Sequence, residues 1–189
     1  MKNIEMIKGA KKLVDVCAGV RKNEKILVVT DTNNVRIAEL VASVAFERDA
    51  EIAICIMTVR KSNGENPPEM ICNAMLKADV IFAPTTYSIT WAEATRKAAS
   101  LGARVVSMPD YHEDILISGG LEADFKAQEK LVEKMSELFS NSYLARLTNP
   151  AGTDLSMELG ERKGNSEKGF CNKPGDVCGP PNIESNIAP

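Results

Sequence analysis

The chain contains a single histidine, His112, which stands among the carboxylates Asp110, Glu113 and Asp114. Imidazole and carboxylate groups close together are the kind of ligands that transition metals accept in proteins. A hydrolytic zinc site or a two-histidine iron site needs more imidazoles than this chain holds, and neither a His-Glu-x-x-His nor a Gly-x-Ser-x-Gly motif is present. The same residues are also typical of the polar first turn of a helix, so both interpretations stay open.

The five cysteines favour packed thiols over a metal cluster. Cys17, Cys55 and Cys72 lie within apolar helix or strand patterns, where a reduced cysteine packs as a small hydrophobic residue. Cys171 and Cys178 form a pair with no second pair to complete four zinc ligands. A structural zinc site at that pair is therefore the weaker alternative.

The elements that position these residues begin with a strand, a helix and a second strand between Glu24 and Val59. An apolar run at 26–29 is followed by polar residues, then by helical spacing from Val35, then by a second apolar run at 52–56. A continuous apolar run without alternation is typical of a strand buried on both faces of a parallel sheet. No glycine follows the first strand, so a dinucleotide fingerprint and a phosphate-binding loop are both excluded there.

Further apolar runs at 80–83 and 105–108 alternate with helical patterns. Right-handed connections between four such strands predict an α/β fold, a doubly wound parallel sheet of order 2-1-3-4 with helices on both faces. We expect a capped helix to start at Ser88 and another, with a capping box, at Asp110. The helical pattern then continues to about Phe139.

In this strand order the first and third strands flank the topological switch point, where successive strands begin to be added on the other side of the first strand. Residues 31–33 and 85–87 follow those two strands and are mostly polar. Ligands commonly bind to doubly wound sheets at such a point, outside the carboxyl ends of the strands. We therefore predict a crevice lined by these residues, which cap helices equally well.

The pattern changes again after Tyr143. Apolar and polar residues alternate at 144–148 and again from Leu155, with a turn at 149–152, which predicts a β-hairpin. The last thirty residues hold few large apolar side chains and cannot form a core alone. We predict an α/β domain over residues 1–141 and an incomplete second domain over 142–189, because an isolated two-stranded ribbon is marginally stable. A disordered tail is the alternative.

Charge and hydropathy exclude two classes of partner. The 189 residues carry a formal net charge of -3 with a pI near 5.4, and no basic cluster is interleaved with aromatic residues. This composition argues against nucleic-acid binding. No stretch approaches the roughly 20 apolar residues that a membrane-spanning helix needs. We predict a cytoplasmic protein without nucleic-acid or membrane partners.

Several C-terminal stretches resemble a known superfamily. The chain resembles the start of the catalytic domain in leucyl-type metallo-aminopeptidases of the thermophilic bacterial type. The stretches that carry this resemblance are 149–155, Arg162, 174–175, 180–184 and 187–189. They are similar in the same way to the related 2,5-dihydroxypyridine 5,6-dioxygenases. The chain also looks like a member of this superfamily at segments 6–10, 29–33 and 83–88. The resemblance therefore covers essentially the whole chain, which it identifies as the amino-terminal part of such a protein.

The resemblance implies a metal-dependent aminopeptidase that removes amino-terminal residues from peptides. It places Glu184 at the position of a ligand to a two-metal site, which would hold zinc, cobalt or manganese, with the remaining ligands beyond Pro189. The 189-residue chain alone would then bind no metal and be inactive. One alternative is an Fe(II)-dependent ring-cleaving dioxygenase. Another is a non-catalytic scaffold or dimerisation module. The partners expected are therefore a peptide substrate for the full-length protein and, as an open alternative, a second copy in a homodimer.

Overall fold

The computed structural model describes residues 2–187, and Ala188 and Pro189 of the resemblance lie outside this range. Strands and helices are numbered here in chain order. The central strands are β1 Lys25–Asp31, β2 Glu51–Met57, β3 Val80–Thr85, β4 Arg104–Pro109 and β8 Val177–Cys178. The remaining strands are β5 Leu144–Thr148, β6 Asp154–Glu158, β7 Gly164–Glu167 and β9 Glu184–Ile187. The helices are α1 Lys2–Lys11, α2 Val35–Phe46, α3 Glu69–Met75, α4 Glu93–Ser100, α5 Glu113–Ile117 and α6 Phe125–Ser140.

The central sheet is parallel and has the strand order β2-β1-β3-β4-β8. The predicted order 2-1-3-4 is therefore confirmed, with the two-residue strand β8 added next to β4. Sequence reasoning missed β8 because two residues are too few to show periodicity. The fold is α/β, as predicted.

Helices cover both faces of the sheet. On one face, Leu27, Val29 and Ile81 are buried in a cluster with Ile71 of α3 and Ala98 of α4. Side chains alternate along a strand, so intervening residues such as Val28 and Phe82 point to the other face. There α2 packs on β1, β2 and β3, and α1 packs on α2.

The amino-terminal helix α1 changes its winding along its length. Helix α1 continues as a π-helix over Lys12–Cys17, which buries Leu13, Val14 and Cys17. Gly9 lets α1 approach α5 closely, because a Cβ atom there would lie 2.4 Å from the Leu116 carbonyl oxygen. A glycine at this position is thus required by packing.

Two predicted helix starts were wrong. Helix α4 begins at Glu93 after Ala92, whereas the Ser88 hydroxyl lies 2.7 Å from that of Thr90. Helix α5 begins at Glu113 without a side-chain cap, and Asp110 has a left-handed backbone with φ of 53°. The amide of Asp110 donates to the Thr85 carbonyl at 2.9 Å, which holds this residue in the turn after β4.

The chain divides into two compact units. Unit 1 comprises the residues up to Ala123 and Gly169–Pro181, and unit 2 comprises Asp124–Lys168 and the residues from Asn182 onward. This division differs from the predicted segments 1–141 and 142–189, because residues 169–181 return to the central sheet as β8. The assignment of 142–189 to an incomplete catalytic domain stays a prediction.

Unit 2 contains the predicted hairpin, which is confirmed as the antiparallel pair β5–β6. It also contains a second antiparallel pair, β7–β9, which packs on α6. The Ser185 hydroxyl donates to the Val132 carbonyl of α6 at 2.6 Å. No helix found within residues 2–187 has the length and apolar character that crossing a bilayer requires.

Candidate functional site

The carboxylate of Asp31 ties together the carboxyl ends of β1 and β3. It is only 1 % exposed and accepts hydrogen bonds from the Thr86 amide at 2.6 Å, the Thr86 hydroxyl at 3.1 Å and the Asn33 amide at 3.1 Å. The Asn33 side chain also donates to the Thr86 hydroxyl at 3.0 Å. Charge-assisted bonds of this kind are stronger than neutral ones, so Asp31 serves to hold two loops together.

A cavity of about 200 Å³ opens beside these loops. The loops after β1, β3 and β4 and the first turns of α2 and α5 supply its walls, as expected for a doubly wound sheet. The lining residues are Asn33, Asn34, Arg36, Ile37, Thr86, Asp110, Tyr111, His112 and Glu113. The crevice predicted at the topological switch point is thus present in part: Asn33 and Thr86 line it, whereas Asp31, Thr32, Thr85 and Tyr87 do not.

The residues from Asp110 to Glu113 were not predicted to line this cavity. Their position directly after the fourth strand was a usable signal, because parallel strands bring their carboxyl ends to one edge of the sheet. The structure therefore brings His112 and its neighbouring carboxylates to the crevice, although the sequence presented them as a separate group.

Polar side chains of the cavity wall lie next to one another in two pairs. The Arg36 guanidinium lies 2.6 Å from the Glu113 carboxylate, and His112 Nε2 lies 3.7 Å from Asp110 Oδ1. His112 and Asp110 are both largely exposed. This arrangement suits a small polar molecule, and it brings together neither a nucleophile with its base nor a set of metal ligands.

Glu184, predicted as a metal ligand, lies in β9 on the exposed face of the β7–β9 pair. Its register partner is Glu167, so both carboxylates project from the same side of this two-stranded ribbon. The Asn186 side chain donates to Glu184 at 3.2 Å, and the Asn165 side chain donates to Glu167 at 3.3 Å. Each of the two carboxylates thus accepts a hydrogen bond from an asparagine two residues away on its own strand.

These donors do not complete a metal centre. Within the part of the chain that the structure describes, His, Cys, Asp and Glu side chains form no group of three or more that could hold a metal ion. The pair Glu167 and Glu184 supplies carboxylates without an imidazole. No reaction step can be derived through a metal from these residues, and the role of Glu184 stays a prediction.

Three of the free cysteines are packed in the interior of unit 1. Cys17, Cys171 and Cys178 are buried, and the Cys171 amide donates to the Cys17 carbonyl at 2.6 Å. Burial, reinforced by the neighbouring Cys171 thiol, raises the pKa of Cys17 to about 12. The Cys171 thiol lies 3.6 Å from the Val105 carbonyl, within the sheet region. Packing in unit 1 is the role that these contacts support.

A sequence profile for the family described as 2,5-dihydroxypyridine 5,6-dioxygenase matches residues 5–182. The match covers nearly the entire chain. The chain belongs to this family. A comparison with curated proteins finds no match.

Two solved structures share the fold of this chain. The 2,5-dihydroxypyridine dioxygenase of Pseudomonas putida KT2440 superposes with a TM-score of 0.70 at 13% identity, over 94% of this chain and 53% of that one. AmpT of Thermus thermophilus superposes with a TM-score of 0.61 at 13% identity, over 98% of this chain and 62% of that one. Identities this low show a shared fold. The family match over residues 5–182 confirms the predicted superfamily, and the chain spans between half and two thirds of these two relatives.

Proposed function

We propose that this member of the dihydroxypyridine dioxygenase family is the amino-terminal part of a metal-dependent enzyme that removes amino-terminal residues from peptides. The observation that carries the proposal is the pairing of Glu184 with Glu167 across β7 and β9. Two-metal peptidase sites are built from several carboxylates, and divalent ions in such sites polarise a carbonyl and activate water. The likeness of this fold to that of AmpT also supports the choice of a peptidase.

Glu184 is the residue of this chain that we assign to the metal. Its carboxylate is exposed, so it can reach a metal ion whose other ligands come from elsewhere in a longer protein. Glu167 stands opposite and would add negative charge for a zinc, cobalt or manganese ion. The 189-residue chain by itself is expected to show no turnover with any of these ions or with Fe(II), because it offers one histidine in all.

The family match favours a second candidate. An Fe(II)-dependent enzyme that opens a dihydroxylated pyridine ring is supported by the profile match over residues 5–182 and by the likeness to the Pseudomonas putida dioxygenase. Such a centre uses two histidines and one carboxylate with open positions for substrate and oxygen. The two candidates therefore differ in the ligands they need outside this chain.

One experiment separates the candidates. In a longer protein containing this chain, we would measure bound metal per subunit, aminopeptidase rate and oxygen consumption with 2,5-dihydroxypyridine, for the wild type, Glu184→Gln and the exposed control Glu161→Gln. Glu184→Gln is expected to lose about one metal ion and to slow peptide cleavage by on the order of a hundredfold, since even outer-shell changes cost ~10–100-fold. Glu161→Gln should match the wild type.

Two other outcomes are informative. Unchanged metal content and rate in Glu184→Gln would remove Glu184 from the metal site. Oxygen consumption with the pyridine, together with no peptide cleavage, would replace the peptidase proposal by the dioxygenase candidate.

A further inference from the structure

Strand β2 forms one edge of the central sheet, and its outer side is open. Among the strands within residues 2–187, it pairs with β1 alone. Strands of parallel sheets are normally buried on both faces, yet Ile54 is 38 % exposed and Ile56 is 53 % exposed. An exposed apolar edge of this kind is a ready template for pairing with another strand.

The backbone groups of β2 that face outward follow from its bonds to β1. The Glu51 amide donates to the Glu24 carbonyl at 2.9 Å, and the Thr32 amide donates to the Met57 carbonyl at 3.2 Å. Odd-numbered residues of β2 therefore turn their amide and carbonyl groups towards β1. The groups of Ile52, Ile54 and Ile56 point away from the sheet, where each needs a partner or water.

We propose that a second copy of this chain pairs with β2 in antiparallel register, about a two-fold axis at Ile54. Ile54 then lies opposite Ile54 of the second copy, and Ile52 lies opposite Ile56. In this register every outward amide and carbonyl of the three isoleucines meets a complementary group, since hydrogen-bonded antiparallel pairs exchange both of their bonds. A two-fold interface requires such a self-complementary surface.

Side chains and charge fit the same register. The three isoleucines project from one face of β2 and would meet the same three residues of the second copy, which buries apolar surface on both sides. The single charged residue of β2 is Glu51, at its beginning. It lies opposite Met57, so the two Glu51 carboxylates stand about 20 Å apart, at roughly 3.3 Å per residue. The pattern therefore favours a second copy over a charged partner.

The first test is the mass in solution of the 189-residue chain. Sedimentation equilibrium should give twice the chain mass for the wild type and for Met70→Lys, a control on α3 whose side chain is 83 % exposed. Ile54→Lys should give the single chain mass, because two ammonium groups would face each other at the axis. If circular dichroism shows that Ile54→Lys does not fold, Ile56→Lys takes its place. A monomeric wild type, or a folded lysine variant that stays dimeric, would overturn the proposal.

The second test fixes the register. Residues 53 and 55 form a non-hydrogen-bonded pair across the axis, with Cα atoms about 4.5 Å apart, which a disulfide spans. Ala53→Cys, oxidised with copper phenanthroline, should therefore give a covalent dimer through Cys55 of the second copy. Ile56→Cys, which faces Ile52, should give none. Equal yields for the two variants would reject this pairing even if the chain is dimeric.

Discussion

At the scale of single residues, the buried carboxylate of Asp31 is expected to matter most for the loops around the cavity. Asp31→Ala leaves the amides of Thr86 and Asn33 without their acceptor. An unsatisfied buried donor costs about 1–3 kcal/mol, and both of these bonds are part-buried, so we expect the free energy of unfolding to fall by about 2 kcal/mol. Urea denaturation followed by circular dichroism measures it.

Two variants bracket this effect. Asp31→Asn keeps one oxygen acceptor and should lose less stability than Asp31→Ala. Thr32→Ala, at the exposed neighbouring position, should stay within about 0.5 kcal/mol of the wild type. Similar losses for Asp31→Ala and Thr32→Ala would mean that the hydrogen bonds of Asp31 are not what holds the two loops.

The buried thiol of Cys17 predicts alkaline sensitivity. Its pKa is about 12 in the folded chain, against an ordinary value of 9.0, because burial disfavours the thiolate. The unfolded chain therefore loses this proton first, so the stabilising contribution is complete below pH 9 and declines from pH 9 to 12, by up to ~1.4 kcal/mol per pH unit.

The measurement is urea denaturation at several pH values between 8 and 10.5. Burial also raises the pKa of Tyr111, so both the wild type and Cys17→Ala should weaken with rising pH. Cys17→Ala should weaken less steeply. Parallel stability curves for the two proteins would show that Cys17 ionisation contributes nothing.

At the scale of elements, the contact between α1 and α5 depends on Gly9. In an open helix, Gly→Ala stabilises by up to about 1 kcal/mol. Here the added Cβ atom would lie 2.4 Å from the Leu116 carbonyl oxygen, so the two helices must separate. We expect Gly9→Ala to lower the melting temperature, with a loss of about 1–3 kcal/mol.

A control on the same helix isolates the contact. Lys11→Ala changes an exposed residue of α1 and should leave the melting temperature near that of the wild type. A higher melting temperature for Gly9→Ala would show that helix propensity outweighs the close approach to α5.

At the scale of the whole molecule, the two units differ in how well their strands are covered. Residues of β1 and β3 are almost all buried, whereas Leu147 of β5 and Leu155 of β6 are 56 % and 46 % exposed although they face each other in register. A two-stranded ribbon without cover opens readily. We expect amides of β5 and β6 to exchange by local opening, and those of β1 and β3 only by global unfolding.

Hydrogen exchange under increasing urea, followed by mass spectrometry, distinguishes these modes. Exchange by global unfolding accelerates steeply with urea, because it exposes much surface, whereas local opening responds weakly. Matching urea dependence in β1 and β5 peptides would show that the two units unfold as one.

Several features followed from the sequence alone. The apolar runs at 26–29, 52–56, 80–83 and 105–108, separated by helical spacing, were enough to predict the strand order, because crossover handedness leaves few arrangements. Alternation around a turn at 149–152 was enough to predict the hairpin. These patterns are local, and the strands that formed match them.

Tertiary structure decided what the local patterns could not. The run at 52–56 resembles that at 26–29, yet β2 is an exposed edge and β1 is central, because exposure depends on which strands pair at long range. The loops after β1, β3 and β4 meet at one cavity for the same reason. The register that sets Glu167 opposite Glu184 likewise arises only when two distant segments pair on α6. Periodicity reports the type of an element, whereas its neighbours are fixed by contacts between residues far apart in sequence.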